Sequence, residues 1–458
     1  MNHPSIIICG AGIAGIAAAY ELAVRHGQRN IVLIERGDPL ALTSDKSTEA
    51  YRNWWPGPDP AMVQLMNRSL DLLEAHAEAT NNAILLNRRG YLYASANPAG
   101  LPALLASAEA ASAHGAGPLR IYRGTASDPA YQPAPAHGFH HQPAGADLLL
   151  DPALIQAHFP YLSQQTVAAL HVRRAGWFGA RQLGMYLLDQ ARAAGVQLVR
   201  GELVAVNTSG GRVNTVSLAT PGGTQTLRTD TLVLAGGPLL PAMGRLLDLD
   251  LPLHNERHLK ASLDDQLGCI PRAAPMLIWN DPVSLPWSDE ERAELVADPD
   301  LRWLAAPLPA GAHLRPEGGP GAQTLLLLWD YHTGSVEVQF PIPLDEQLPE
   351  LALRGLATMV PGLAVYLERV PRAYLDGGYY TRTPENRPLI GPLPVAGAWI
   401  SGGYSGFGLM VACGAAELLA QQIVDAPLPS YAAAFHLARY DAPAYRAAVA
   451  AWGDDGQL

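Results

Sequence analysis

The chain has 458 residues, 48% of them hydrophobic and 16% charged, a length that favours two intertwined domains over one. Its formal net charge of −11 argues against a nucleic-acid partner, because gripping phosphate backbones takes clustered Lys and Arg. No apolar run reaches the ~20 residues of a membrane-spanning helix, and Cys9, Cys269 and Cys413 have neither zinc-site nor disulfide-framework spacing, so a reduced, cytoplasmic protein without a metal is expected.

In chain order, Ser5-Ile6-Ile7-Ile8-Cys9 is predicted as a buried parallel strand. It begins an apolar stretch with no Lys or Arg before it and with glycines in register, unlike a secretion signal. Ile13 to His26 has helical composition and stops at Gly27. Ile31-Val32-Leu33-Ile34 is a second buried strand ending at Glu35, which completes one βαβ unit. Met62, Leu65, Met66, Leu70 and Leu73 recur at helical spacing and predict a helix over 59–79. The stretch 94–145, rich in Ala, Gly, Pro and His, reads as a surface excursion of a second domain. A helix over 182–194 leads into an apolar run over 196–206, then polar turns at Gly210-Gly211 and Pro221-Gly222-Gly223. Thr231 to Ala235 is another buried strand, ending in Gly236-Gly237-Pro238. Strand-like runs, notably 324–329 and 335–340, make 254–369 a β-rich second domain. The chain returns to the first domain with Trp399-Ile400-Ser401 and a helix from about Gly408.

Gly10-Ala11-Gly12-Ile13-Ala14-Gly15 fits the dinucleotide pattern GxGxxG. Gly10 makes the tight turn, Gly12 lets a pyrophosphate approach the backbone, and Gly15 allows helix and strand to pack closely. The helix N-terminus attracts the phosphates. Glu35 stands where an acid bonds a ribose hydroxyl and would repel a 2′-phosphate, which disfavours NADP. The fingerprint alone does not separate FAD from NAD.

Further segments do. They are Ser47-Thr48-Glu49-Ala50-Tyr51-Arg52, the strand Leu232 to Gly237, Thr383-Pro384-Glu385-Asn386-Arg387-Pro388-Leu389-Ile390-Gly391-Pro392, and Gly402-Gly403-Tyr404-Ser405-Gly406-Phe407-Gly408-Leu409-Met410. In this order they resemble the D-amino-acid oxidase superfamily of flavoproteins, which contains glycine oxidase, sarcosine oxidase and dimethylglycine dehydrogenase. The resemblance implies an α/β fold: a Rossmann-like, glutathione-reductase-type FAD domain interleaved with a β-rich, α+β substrate domain. The FAD domain is then expected over 1–85, 151–253 and 370–435, the substrate domain over 86–150 and 254–369, and a C-terminal tail over 436–458. The cofactor residues it implies are the six of the fingerprint, Glu35 and Arg36, Ser47 and Thr48, Val204, Ala235 and Gly236, and Gly403, Gly406, Phe407, Gly408 and Leu409.

The implied activity is FAD-dependent oxidation of the C–N bond of a small amine or amino acid, with oxygen or another electron acceptor as partner. Arg52 matches a carboxylate-binding arginine of sarcosine-oxidase-like enzymes, and a guanidinium grips a carboxylate through two parallel bonds; a structural partner for a loop is the plainer reading. Tyr380 and Tyr404 join it as catalytic candidates, and Trp54, Trp55 and Tyr379 could extend an aromatic wall. His258, Asp330 and His332 fall in the substrate domain, where a lone histidine is more often structural. Departures matter too. Some relatives tether flavin through a cysteine where this chain has Gly378, so the FAD is expected to be non-covalent. Phe407 and Met410 replace a histidine and a lysine of the sarcosine-oxidase motif, and Tyr380 replaces a carboxylate-clamping arginine of glycine oxidase. An FAD-dependent hydroxy-acid dehydrogenase, a non-catalytic flavin-binding subunit and an NAD-binding protein remain as alternatives, and the oligomeric state stays open.

Overall fold

In a computed structural model the chain is described over residues 5–319, 321–332 and 334–452. Unalternating Ile, Val and Leu runs suit strands buried on both faces, and they assemble a six-stranded sheet. Its order is Leu389–Pro392, Ala398–Gly402, Thr231–Leu234, Ile6–Cys9, Ile31–Glu35, Gln197–Arg200, parallel except for the outer Leu389–Pro392. Ile6 is level with both Thr231 and Ile31, so the glycine turns after two neighbouring strands open side by side. That crevice beyond the carboxyl ends of the strands is where open α/β sheets take ligands. Helices Ile13–Tyr20, Ala61–Ala79, Ala180–Ala193 and Gly408–Ile423 pack together against this sheet. The first helix stays α-helical only to Tyr20; its last turn, Glu21–Arg25, widens to a π turn before Gly27.

A nine-stranded sheet builds the other half. From one edge to the other it runs Tyr374–Arg382, His254–Asp264, Thr324–Leu328, His313–Pro316, Met276–Trp279, Tyr91–Ser95, Ala168–Val172, Ala146–Leu149, Leu119–Tyr122. Strand alternation divides its side chains between two cores. Leu92, Leu277, Leu314 and Leu327 pack under helix Leu348–Met359, whereas Tyr91, Tyr93, Met276 and Ile278 join the core of the dinucleotide domain. The second face therefore looks onto the half of the molecule built on the six-stranded sheet.

Several expectations change. The stretch 94–145 is no simple excursion: it holds helix Leu101–Ala111 and strand Leu119–Tyr122, and only 123–145 lacks regular elements. Strands Ala168–Val172 and Tyr374–Arg382, inside segments expected in the FAD domain, belong to the nine-stranded sheet. The run 335–340 alternates like a strand but forms none. No strand of the described sheets pairs with it, and it is held instead by single bonds, Val336 N to Asn255 O at 2.8 Å and Gln339 N to the Tyr379 hydroxyl at 2.9 Å. The described part of the expected tail, 436–452, docks back. Glu385, in the TP motif, accepts bonds from Arg439 Nε at 2.9 Å, Tyr440 at 2.6 Å and Tyr445 at 3.0 Å.

Candidate active site

Where the glycine turns meet, a cavity of about 300 Å³ runs from Glu35 and Leu203 at one end to Tyr380 and the 402–409 loop at the other. Gly10, at φ +107°, turns so tightly that a Cβ there would collide with the Ala235 carbonyl, and a Cβ on Gly15 would collide with Gly10. Gly12, Ile13 and Ala14 line the wall, and the Ala14 amide has no acceptor among the described residues, an open helix end facing the cavity. Ser44 Oγ accepts from Ile13 N at 3.0 Å. Glu35 accepts from Ala11 N at 2.8 Å through one oxygen and from Gly37 N at 2.9 Å through the other, with lone pairs left on both. Arg36 sits beside it, paired with Glu202 at 3.6 Å and lying over the Phe340 ring at 5.0 Å.

The opposite end is aromatic. Tyr404 donates to, or accepts from, Ser401 Oγ at 2.6 Å. A Cβ on Gly406 would overlap the Tyr380 ring, so glycine there is what lets loop and ring close together. Tyr380 is enclosed by protein except toward the cavity, and burial together with Asp330 pushes its phenol pKa up. Behind it His258 stacks at 3.5 Å between ring centroids and 20° between planes. His258 Nδ1 lies 2.7 Å from Asp330 Oδ2, an ion-pair contact not aligned as a hydrogen bond, and Nε2 is 3.4 Å from Glu256 Oε2. Burial alone would lower the imidazole pKa, but the two carboxylates outweigh it and the net shift is upward. Burial likewise opposes the Glu256 charge, yet bonds from His258 and Arg382 hold its carboxyl down to about 2.

Most sequence-derived positions converge on this cavity. Gly10, Gly12, Ile13, Ala14, Glu35 and Arg36 line one side; Ser47, Ala235 and Gly236 the middle; Tyr380, Gly403, Tyr404, Gly406, Gly408 and Leu409 the far end. Ala11 and Gly15 support the turn from within. Thr48 lines a water-sized cavity next door. Val204 is 44% exposed and points away; Gly201, Glu202 and Leu203, just before it, form the wall instead. Phe407 packs edge-on against Trp55 at 4.9 Å, and buried Arg52 lies over the same Trp55 at 4.4 Å while Nη1 donates to the Tyr93 hydroxyl at 2.8 Å. Met410 is buried, its carbonyl accepting from Ser69 Oγ at 2.6 Å. His332 is exposed and joins none of this. Sequence reasoning overlooked Glu256, Lys260 and the segment 40–44, and passed over His258. The signal was there: His254, Glu256, His258 and Lys260 alternate along one strand, which puts four ionisable groups on one sheet face.

The chain matches the FAD dependent oxidoreductase family over residues 5–422. It belongs to that family. FAD is therefore the cofactor, which disposes of the NAD-binding alternative, and the cavity fits it: a glycine turn with no side chain in the way, an orphan helix amide for phosphate, and a carboxylate with lone pairs to spare for ribose. L-proline dehydrogenase from P. horikoshii shares the fold at 17% identity and TM-score 0.71, covering 96% of this chain and 98% of that one. Glycine oxidase from Geobacillus kaustophilus aligns at 16% identity and TM-score 0.69, with 94% and 98% covered. L-amino acid deaminase from Proteus myxofaciens aligns at 16% and TM-score 0.68, with 96% and 94% covered. No helix among the described residues of this FAD-dependent oxidoreductase is long and apolar enough to cross a membrane.

Proposed function

We propose that this protein oxidises the C–N bond of a small amine or amino acid with non-covalently held FAD, in the cytoplasm, passing electrons to oxygen or another acceptor. The observation that carries the reading is the aromatic end of the cavity, where Tyr380 and Tyr404 face inward and the Asp330–His258–Glu256 cluster backs Tyr380. An amine suits aromatic faces better than a hydroxy-acid anion does. Proline, glycine and L-amino acids, after which the three structural relatives are named, all carry such a bond.

Bound FAD supplies the acceptor for the hydride that leaves the carbon beside nitrogen; the protein orients and desolvates. Tyr380 and Tyr404 are the catalytic candidates that shape the wall and keep water out. Arg52 is the carboxylate partner, its guanidinium plane fixed by Trp55 and the Tyr93 hydroxyl. Ser47, Ala235, Gly236, Gly403, Gly406, Gly408 and Leu409, which line the cavity, would hold FAD along its length, with Glu35 on the adenosine side.

The deciding experiment mixes the FAD-loaded protein, without oxygen, with amino acids of both hands, N-methylated amino acids, secondary amines and 2-hydroxy acids, and follows bleaching of the flavin. Bleaching by amines or amino acids alone supports the reading. Bleaching by hydroxy acids alone makes it a hydroxy-acid dehydrogenase, and none at all makes it a flavin-carrying subunit; either result overturns the proposal.

A further inference from the structure

The segment 43–49 lies between the cavity and the nine-stranded sheet, and it is fastened strand by strand. Thr43 Oγ1 meets the backbone of Tyr379 at 3.4 Å, and Lys46 pairs with Asp376 at 3.2 Å, both on the edge strand Tyr374–Arg382. On the neighbouring strand, Lys260 Nζ donates to the Ser47 carbonyl at 2.9 Å. Two strands further in, Arg315 Nε donates to the Thr48 carbonyl at 2.9 Å, and its Nη2 stands 3.4 Å from Glu49 Oε2. Glu49 itself is held at φ +61°, with Oε1 accepting from Ala180 N at 2.9 Å.

Two features set Lys260 and Arg315 apart from ordinary ion pairs. Lys260 is level with Asp376 across the ladder, yet Lys46 takes that carboxylate and the Lys260 ammonium goes to a backbone carbonyl. Burial pulls its pKa down, so the cation sits in a dry position at considerable cost. Arg315 is wholly buried, and it too directs Nε at a carbonyl while Glu49 and Glu317 balance its charge. The carbonyls they hold are consecutive. Ser47 lines the main cavity at the end near Tyr380, and Ser47, Thr48 and Lys260 line the water-sized cavity beside it.

We propose that Lys260 and Arg315 are positioning residues for the flavin: from the substrate sheet they hold the Ser47 and Thr48 carbonyls and so fix the loop against the flavin half of the cofactor. This rests on FAD binding in the cavity but not on the identity of the substrate, because its test reads flavin affinity and spectrum without turnover. The substrate sheet and the cofactor wall thereby become one mechanical unit. Lys260→Met removes the donor to Ser47, and Arg315→Met combined with Glu49→Gln removes the donor to Thr48 without stranding the Glu49 carboxylate. The apo variants are titrated with FAD and with riboflavin, and the visible spectrum and reduction potential of the bound flavin are recorded. Each variant should weaken FAD and riboflavin alike, by roughly tenfold or more, the effect of losing one charge-assisted bond. Each should also shift the flavin spectrum and potential, and Lys260→Arg should restore both. Should Lys260→Met fail to fold, Lys260→Gln, which keeps a neutral donor, carries the same comparison. Wild-type affinity for both flavins, with spectrum and potential unmoved, would overturn the proposal, as would weakening of FAD alone. A protein that binds flavin but is bleached by no amine leaves this test intact and fails only the reading of its reaction.

Discussion

Replacing Glu35 with alanine separates what this carboxylate does for the protein from what it does for the cofactor. Its two oxygens accept from Ala11 N at 2.8 Å and Gly37 N at 2.9 Å. Hydrogen bonds to a charged acceptor contribute ~1.5–3 kcal/mol each. Gly37 is half-buried, so water replaces the lost acceptor there, whereas Ala11 is fully buried and its amide is left without a partner. Apo-protein stability should therefore drop by one such bond, ~1.5–3 kcal/mol, and not by two. If the lone pairs that remain on the carboxylate bind the adenosine ribose, as proposed, losing them should weaken FAD by a further ten- to a hundredfold, roughly. Titrating the apo-protein by flavin fluorescence with FAD and with FMN, which lacks adenosine, isolates the second effect. Chemical denaturation of the apo-protein measures the first. FAD affinity within about twofold of wild type, or an FMN affinity weakened by the same factor as that for FAD, would show that Glu35 serves only the turn. Glu35→Gln keeps one acceptor oxygen and should fall between the two proteins on both measurements.

Arg52→Lys retains the charge but loses the planar fork that stacks on Trp55, so apparent affinity for carboxylate substrates should fall while flavin content holds; equal losses for substrates without a carboxylate would make Arg52 structural. Gly406→Ala drives a methyl into the Tyr380 ring, and reduction of the flavin by substrate should slow even where FAD still binds, as stopped-flow traces would reveal. Glu256 is held near 2 in the folded protein against 4.5 unperturbed, so its stabilising charge is fully present above the unfolded value and disappears as the pH falls from 4.5 toward 2. Comparing urea denaturation of the wild type and Glu256→Gln across that range should show the gap between them closing at the acid end. Gly378 stands where a tethering cysteine would be, so acid precipitation should leave the yellow cofactor in the supernatant, and a coloured pellet would mean a covalent link elsewhere.

What the sequence determined by itself was chiefly local. Gly10 to Gly15 and Glu35 belong to one βαβ unit, in which glycine spacing and strand length bring the turn and the acid together with little help from the rest of the chain. The helices at Ala61–Ala79 and Gly408–Ile423 were likewise legible, since a 3.6-residue period and a glycine-rich start need no distant partner to be recognised. Strand membership was not. Ala168–Val172 and Tyr374–Arg382 fell inside ranges expected in the FAD domain, and only pairing assigned them to the nine-stranded sheet, because a short segment carries no label for its neighbours. Alternation at 335–340 promised a strand, but a strand exists only where a ladder accepts it, and none of the described strands pairs with this run. Val204 was implied by the resemblance, whereas the register shifts between Leu203 and Ala205 and it is Gly201, Glu202 and Leu203 that line the cavity. The far end of the site is tertiary altogether. His258, Asp330 and Tyr380 meet from three stretches of chain because their strands lie side by side, and Arg315 finds the Thr48 carbonyl across 267 residues because the sheet face that carries it closes over the loop. Local steric rules fix a turn or a helix within a few residues, but a face is made by register, and register is a property of the whole sheet.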